Sequence, residues 1–148
     1  VGKLNDLTVR HNRFVANMNV NIAISIESVS EKLVNMNKGQ LLSSKDSKDN
    51  PLIHKGTGSE FLTNAYAKIT KKSKPDLFLS GDFQRGMFLE VNENNSTYFI
   101  DSLDSKSGIL TGNYGLNILG IPNKNEPESK KLTGAAFARL YKSKVLQK

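Results

Sequence analysis

Pro75-Asp76-Leu77-Phe78-Leu79-Ser80-Gly81-Asp82-Phe83-Gln84-Arg85-Gly86-Met87 divides the chain into two unlike halves. Pro75 halts any helix before it. The apolar run Leu77-Phe78-Leu79 follows, and Ser80-Gly81-Asp82 then turns the chain into one or two helical turns. From Met87 a strand pattern begins. Gly81 can take backbone angles closed to other residues, so it is expected to make the reversal. Ser80 is expected to cap the short helix. Phe83 and Met87, with Leu77 and Leu79, are expected to pin it to the core. Ser80, Gly81, Phe83 and Met87 are therefore the candidate structural turn, and none of them performs chemistry.

N-terminal to this turn, Leu4, Leu7, His11, Val15, Met18, Ile22, Ile26, Val29, Leu33 and Met36 recur at steps of three and four. They predict one long helix face, interrupted near Asn19–Asn21 and ending at Lys38-Gly39. Val20, Ile22, Ile24 and Ile26 also alternate as a strand would, but the helical register is much the longer. The stripe exceeds what a small monomer's core needs, which points to a partner subunit. Residues 40–56, from Gln40 past Ser43-Ser44-Lys45-Asp46-Ser47-Lys48-Asp49-Asn50, have no periodicity and are expected to form a mobile, solvated loop. Thr57-Gly58-Ser59-Glu60 fits a capping box opening a helix to about Thr70, with Phe61, Leu62, Ala65, Tyr66 and Ile69 inward. Lys68, Lys71, Lys72 and Lys74 crowd the end of that helix. They either complement its dipole or face the phosphates of DNA.

C-terminal to the turn, Met87–Asn92 and Thr97–Ile100 flank Asn94-Asn95 and predict a β-hairpin. Asp101 to Gly108 reads as a polar connection, Ile109-Leu110 as the start of a short strand, and Tyr114 to Pro122 as a loop with an edge strand. After a turn at Asn123–Glu128, Leu132, Ala136, Leu140 and Val145, with Phe137 and Tyr141, mark a last helix. Glu126 and Glu128 suit its start, and Lys142, Lys144 and Lys148 its end. The expected fold is α+β: a long N-terminal helix, a short middle helix, a small antiparallel sheet with a hairpin, and a C-terminal helix. Residues 1–148 are read as a single domain.

The net charge of +7 favours nucleic acid, an anionic surface or an acidic partner, unless it serves solubility alone. With only four arginines among the 21 basic residues, contact with DNA backbone is expected rather than base readout. There is no cysteine, hence no disulfide, thiolate nucleophile or cysteine-ligated zinc. No apolar run approaches the ~18 residues of a membrane span. His11 and His54 stand apart from any metal-ligand spacing. Gly56-Thr57-Gly58-Ser59 lacks the phosphate-loop pattern. Asp101 and Asp104 do not follow the calcium-loop spacing. Asp82 and Glu90 form no evident acid/base pair, and Ser80, Ser102 and Ser107 lack an identifiable base. No catalytic, cofactor-binding or metal-ligating set is expected, and the chain reads as a non-enzyme.

Leu77 to Gly86 fits the pattern Leu-x-x-[Thr/Ser]-Gly-x-[Leu/Phe]-x-x-[Ser/Gly]. A hairpin follows, then Tyr114-Gly115, Ile121-Pro122 and a final helix. In this motif and order of elements the chain resembles the tail-completion, or virion-morphogenesis, proteins at the head–tail neck of long-tailed bacteriophages and prophages. Asn123-Lys124-Asn125 departs from the basic and aromatic residues expected after Ile-Pro. The resemblance implies a structural virion protein assembled in the host cytoplasm. Its partners would be the connector, tail tube or terminator, and further copies of itself in a ring around the DNA channel, with non-specific DNA contact and no membrane. The alternative reading is a small basic nucleic-acid-binding module.

Overall fold

The computed structural model describes residues 2–78 and 80–147. Leu79 of the turn and Lys148 of the last helix, both invoked above, lie outside the described residues. The N-terminal helical stretch is three helices end to end: α1 (Gly2–Ala16), α2 (Met18–Glu27) and α3 (Ser30–Leu42). The breaks fall at Asn17 and at Ser28-Val29, not at Asn19–Asn21. Each break has a polar side chain competing for helix carbonyls. The Asn17 amide donates to Arg13 O at 2.9 Å, and the Ser28 hydroxyl donates to Ser25 O at 2.8 Å. The bends reset the helix face. Leu4 and Val15 of the expected stripe are therefore exposed, while Phe14, outside the stripe, is the buried residue of α1.

The end of α3 also differs from expectation. The helix runs through Gly39 to Leu42, because Gln40 and Leu41 are buried by one further turn. Ser44 (φ 56°) makes the reversal. Lys45 N then donates to Gln40 O at 3.0 Å and Ser44 N to Leu41 O at 2.8 Å, the paired bonds of a Schellman motif. A serine fills the left-handed position that the sequence reading gave to Gly39.

The hairpin pairs β1 (Met87–Asn92) with β2 (Thr97–Ser102), Met87 facing Ser102 and Leu89 facing Ile100. Period-two alternation puts Met87, Leu89, Val91, Tyr98 and Ile100 on the face toward the helices. Phe99, on the other face, is exposed. Two apolar clusters form beneath the sheet. One joins Val34, Leu41, Leu52, Phe83, Met87 and Ile118. The other joins Ile26, Val29, Leu33 and Ala136. Leu89 packs against both. The middle helix is α4 (Asn64–Thr70), the turn helix α5 (Asp82–Arg85), and α6 (Ser107–Tyr114) follows the hairpin. The last helix, α7 (Glu126–Tyr141), packs on α2 and continues into a π-helical turn, Lys142–Leu146, that meets α1. Phe14 stands edge-on to Phe137 and Tyr141 at 5.4 and 5.1 Å. The α+β class and the order long helix, short helix, hairpin, final helix are as expected; the sheet has two strands.

Several further expectations need correction. The 40–56 stretch is stitched into the fold rather than being wholly solvated. Asp46 Oδ1 accepts from Lys48 N and Asn50 N, both at 2.9 Å. Ser47 N donates to Asn117 O at 2.8 Å, Asn123 N donates to Ser47 O at 2.9 Å, and Leu52 is 2% exposed. These bonds are side chain to backbone or loop to loop, so they leave no periodic trace. The capping box does not form. Thr63 caps α4 instead, its hydroxyl accepting from Tyr66 N, while Glu60 pairs with Lys74. None of the residues in α4 is buried, so the inward face assigned to Ala65, Tyr66 and Ile69 is not realised. Ile109-Leu110 is helical, within α6, and Tyr114 to Pro122 holds a 3₁₀ turn at Leu116–Ile118 without an edge strand. Gly115 (φ 95°) stops α6 and turns the chain back, burying Ile118.

Candidate functional site

The turn is built by more residues than the sequence pointed to. Gly81 sits at φ 80°, the left-handed region, and Phe83 and Met87 are buried. Ser80 does not cap the backbone of α5. Its hydroxyl donates to the Asp82 carboxylate, which Arg85 also engages. The Ser80 hydrogen bond first, and Arg85 second, hold the Asp82 carboxyl below the usual aspartate range. Ser80 thus donates a hydrogen bond to a carboxylate held in its ionised form, and so bridges the residues on either side of Gly81.

The structural roles of two turn residues, Gln84 and Gly86, escaped the sequence reading. Gln84 is buried, and its amide donates to Asp76 O at 3.1 Å and Leu77 O at 2.8 Å, holding Leu77 at φ 55°. A glutamine in a short polar segment carries no signal of such a role. Gly86 has an ordinary φ of −74°, so its importance is steric. A Cβ there would lie 2.9 Å from Ser102 Oγ, 3.1 Å from Asp104 N and 3.3 Å from Asp82 O. The Ser102 hydroxyl donates to Phe83 O at 2.7 Å and accepts from Asp104 N at 3.2 Å, tying the end of the hairpin to α5.

A groove of about 510 Å³ runs between α4, the turn and α6. Its apolar lining combines the aromatic rings of Phe61, Tyr66, Phe78, Phe83 and Tyr114 with aliphatic side chains such as Leu62 and Leu110. His54 stands edge-on to Tyr114 at 5.4 Å, and its Nδ1 accepts from Gly56 N at 3.1 Å. Burial pushes the Tyr114 hydroxyl above the usual tyrosine range. Asp101 and Asp104, weighed above as ion ligands, instead organise the start of α6. Asp101 Oδ1 accepts from Ser107 Oγ at 3.1 Å, and Asp104 Oδ1 accepts from Lys106 N at 2.7 Å. Among the described residues no group of His, Asp or Glu is placed to hold a metal ion.

The four candidate DNA-facing lysines separate into two pairs. Lys72 bonds the Asp76 carboxylate and lies 5.4 Å from the centre of the Phe78 ring. Lys74 bonds Glu60 at 2.9 Å and lies 5.1 Å from the centre of the Phe61 ring. These two cations hold the segment around α4 by ion pairs and cation–π contact. Lys68 and Lys71 are exposed, and Lys71 closes α4 in the left-handed conformation. The second histidine, His11, meets the Tyr141 hydroxyl at 3.0 Å and joins α1 to α7.

At the rim of the groove four apolar residues are open to solvent: Phe61 is 55%, Tyr66 42%, Ile69 72% and Phe78 43% exposed. The arrangement offers an exposed apolar surface for binding. Comparison of the chain with protein-family models, with curated proteins and with solved structures gives no match.

Proposed function

We propose that the chain is a structural bacteriophage virion protein of the head–tail neck, of the tail-completion or connector kind. On this reading it works by binding further copies of itself and neighbouring virion proteins in a ring around the DNA channel. The observation that carries the reading is α4, a helix that buries none of its residues in the single chain yet presents Tyr66 and Ile69 beside the exposed rings of Phe61 and Phe78. An apolar cluster of this kind around a groove marks a protein-contact surface. Leu103, Ile109 and Leu116, 82%, 64% and 77% exposed, add apolar surface beyond the hairpin. The motif at Leu77–Gly86 and the order of elements support the neck assignment in particular.

Light scattering combined with electron microscopy tests it. A mass well above the 16.4 kDa of one chain, with ring-shaped particles that Ile69→Asp disperses, is the expected result. A particle of single-chain mass at every concentration, unaltered by Ile69→Asp, overturns the self-assembling ring. The alternative, a small basic nucleic-acid-binding module, draws on the net charge of +7 and on exposed Lys68 and Lys71. It requires DNA affinity in the isolated chain that falls steeply with salt.

A further inference from the structure

A second cavity, of about 420 Å³, shares no residue with the groove beside α4. Arg10 and Arg13 of α1, Asn17 at the helix break, Asn21 of α2 and Lys144 of the π-helical turn line it, with Phe14 and Val20 supplying apolar wall. Two of the chain's four arginines meet here. Three cationic side chains converge and no carboxylate lines the cavity among the described residues; Asp6 reaches Arg10 Nη2 at 3.2 Å. Like charges three residues apart on a helix repel, so this convergence favours an anion between them.

The cations are held in place by buried amide chemistry. Asn21 is 1% exposed; its Nδ2 donates to Phe14 O at 2.9 Å, and its Oδ1 accepts from Lys144 Nζ at 2.8 Å. The ammonium is therefore positioned rather than free to wander. Arg10 Nη1 donates to Gln147 O at 3.4 Å, while its Nε is buried with no hydrogen-bond partner among the described residues. A buried guanidinium N–H left unpaired is costly, which marks Arg10 as a side chain whose donors the surrounding described residues do not all meet. Lys144 sits in a π-helical turn, a geometry that recurs at functional sites.

We propose that this cavity binds a phosphate group through the guanidinium groups of Arg10 and Arg13 and the Lys144 ammonium. Planar guanidinium forks match tetrahedral oxyanions in two-point contact, and an ammonium adds a point charge. The size of the cavity and its Phe14 and Val20 wall suit a phosphate carried on an organic ester, either a small phosphorylated molecule or a nucleic-acid backbone. The proposal stands apart from the assembly reading, since it uses neither α4 nor the groove.

The test is a titration of the full chain with inorganic phosphate at constant ionic strength, followed by amide chemical shifts. Saturable shifts confined to Arg10–Asn21 and Lys142–Leu146 are expected. Arg13→Gln should weaken phosphate binding about tenfold or more, with Lys68→Gln and Lys71→Gln as silent controls. Shifts that rise without saturating, or that spread over the lysine surface, overturn the proposal. So does an Arg13→Gln protein that folds and binds as tightly as the parent. Arg13 is exposed, and the parent titration decides the matter even if the variant misfolds. A short DNA duplex identifies the source of the phosphate. Competition with inorganic phosphate, and a salt slope reduced by about one in Arg13→Gln, assign it to nucleic acid. Saturable phosphate binding without DNA competition assigns it to a small phosphorylated molecule.

Discussion

Replacing Gly86 and Ser102 by alanine, singly and together, tests how the turn is held to the hairpin. Gly86 has φ −74°, so alanine there is conformationally allowed and even lowers the entropy of the unfolded chain. The cost is steric: the new Cβ would lie 2.9 Å from Ser102 Oγ and 3.1 Å from Asp104 N. Overpacking of this kind costs about 1–3 kcal/mol, leaving Gly86→Ala net destabilising by about 1–2 kcal/mol after the entropic gain. Ser102→Ala removes the donor to Phe83 O and the acceptor for Asp104 N, groups that lie 2.7 and 3.2 Å from the hydroxyl. That loss is worth about 1–3 kcal/mol. In the double variant the nearest of the atoms struck by the new Cβ is gone, while the backbone contacts remain, so the combined loss should fall short of the sum by about 1 kcal/mol. Urea unfolding of the four proteins, followed by circular dichroism with the slopes compared, measures the coupling. Additivity within about 0.5 kcal/mol refutes the argument that Ser102 Oγ occupies the space glycine leaves.

Gly39→Ala should stabilise the protein by about 0.5–1 kcal/mol, since Gly39 is mid-helix, exposed and has open space around its Cβ position; a drop in urea midpoint would mean that it caps the helix after all. Leu52→Ala should cost about 2–5 kcal/mol in the same assay despite its polar sequence context, because the side chain belongs to a buried cluster. A loss under about 0.5 kcal/mol, the range of ordinary surface changes, would place it outside the core. The Asp82 carboxyl should titrate below the ordinary aspartate value by NMR. Its contribution to stability is present above the unfolded pKa and is lost as pH falls through the folded one. Ser80→Ala should raise that midpoint, and an unchanged midpoint would remove the hydroxyl as the main cause. Tyr114, whose pKa burial raises, should ionise above the ordinary tyrosine value in an ultraviolet titration. Its contribution is present below the unfolded pKa and is lost as pH rises through the folded one; ionisation at or below the ordinary value would contradict the burial.

The readable parts of the chain were those whose signal is periodic. Met87–Asn92 and Thr97–Ile100 alternate every second residue around an asparagine turn, and the hairpin follows directly. The N-terminal stripe identified helix but not the bends, because Asn17 and Ser28 act through hydrogen bonds to preceding carbonyls that leave the apolar spacing nearly intact. Gly81 was legible as a turn residue. Gly86 was not, because its role depends on Ser102, distant in sequence. Thr57 and Thr63 both precede helix-compatible residues, and the choice between them turns on Glu60 pairing with Lys74 rather than with the Thr57 backbone. Ile109-Leu110 lies in a helix whose start is held by Asp101 and Asp104, through bonds that the two-residue apolar signal does not reveal. The groove and the Arg10–Arg13–Lys144 cavity were invisible for a common reason. Each is assembled from segments that only tertiary packing brings together.

Leu89, partly buried, packs against both apolar clusters, and this bridging contact bears on how the molecule responds to force. With separate cores, the half built around α5 and α6 could yield while the half built around α2 and α7 held. A side chain common to both makes the loosening of one a loss of contact for the other, so the two are biased to fail together. Tension applied at one exposed surface would then be carried across the hairpin instead of being absorbed beside the point of attachment.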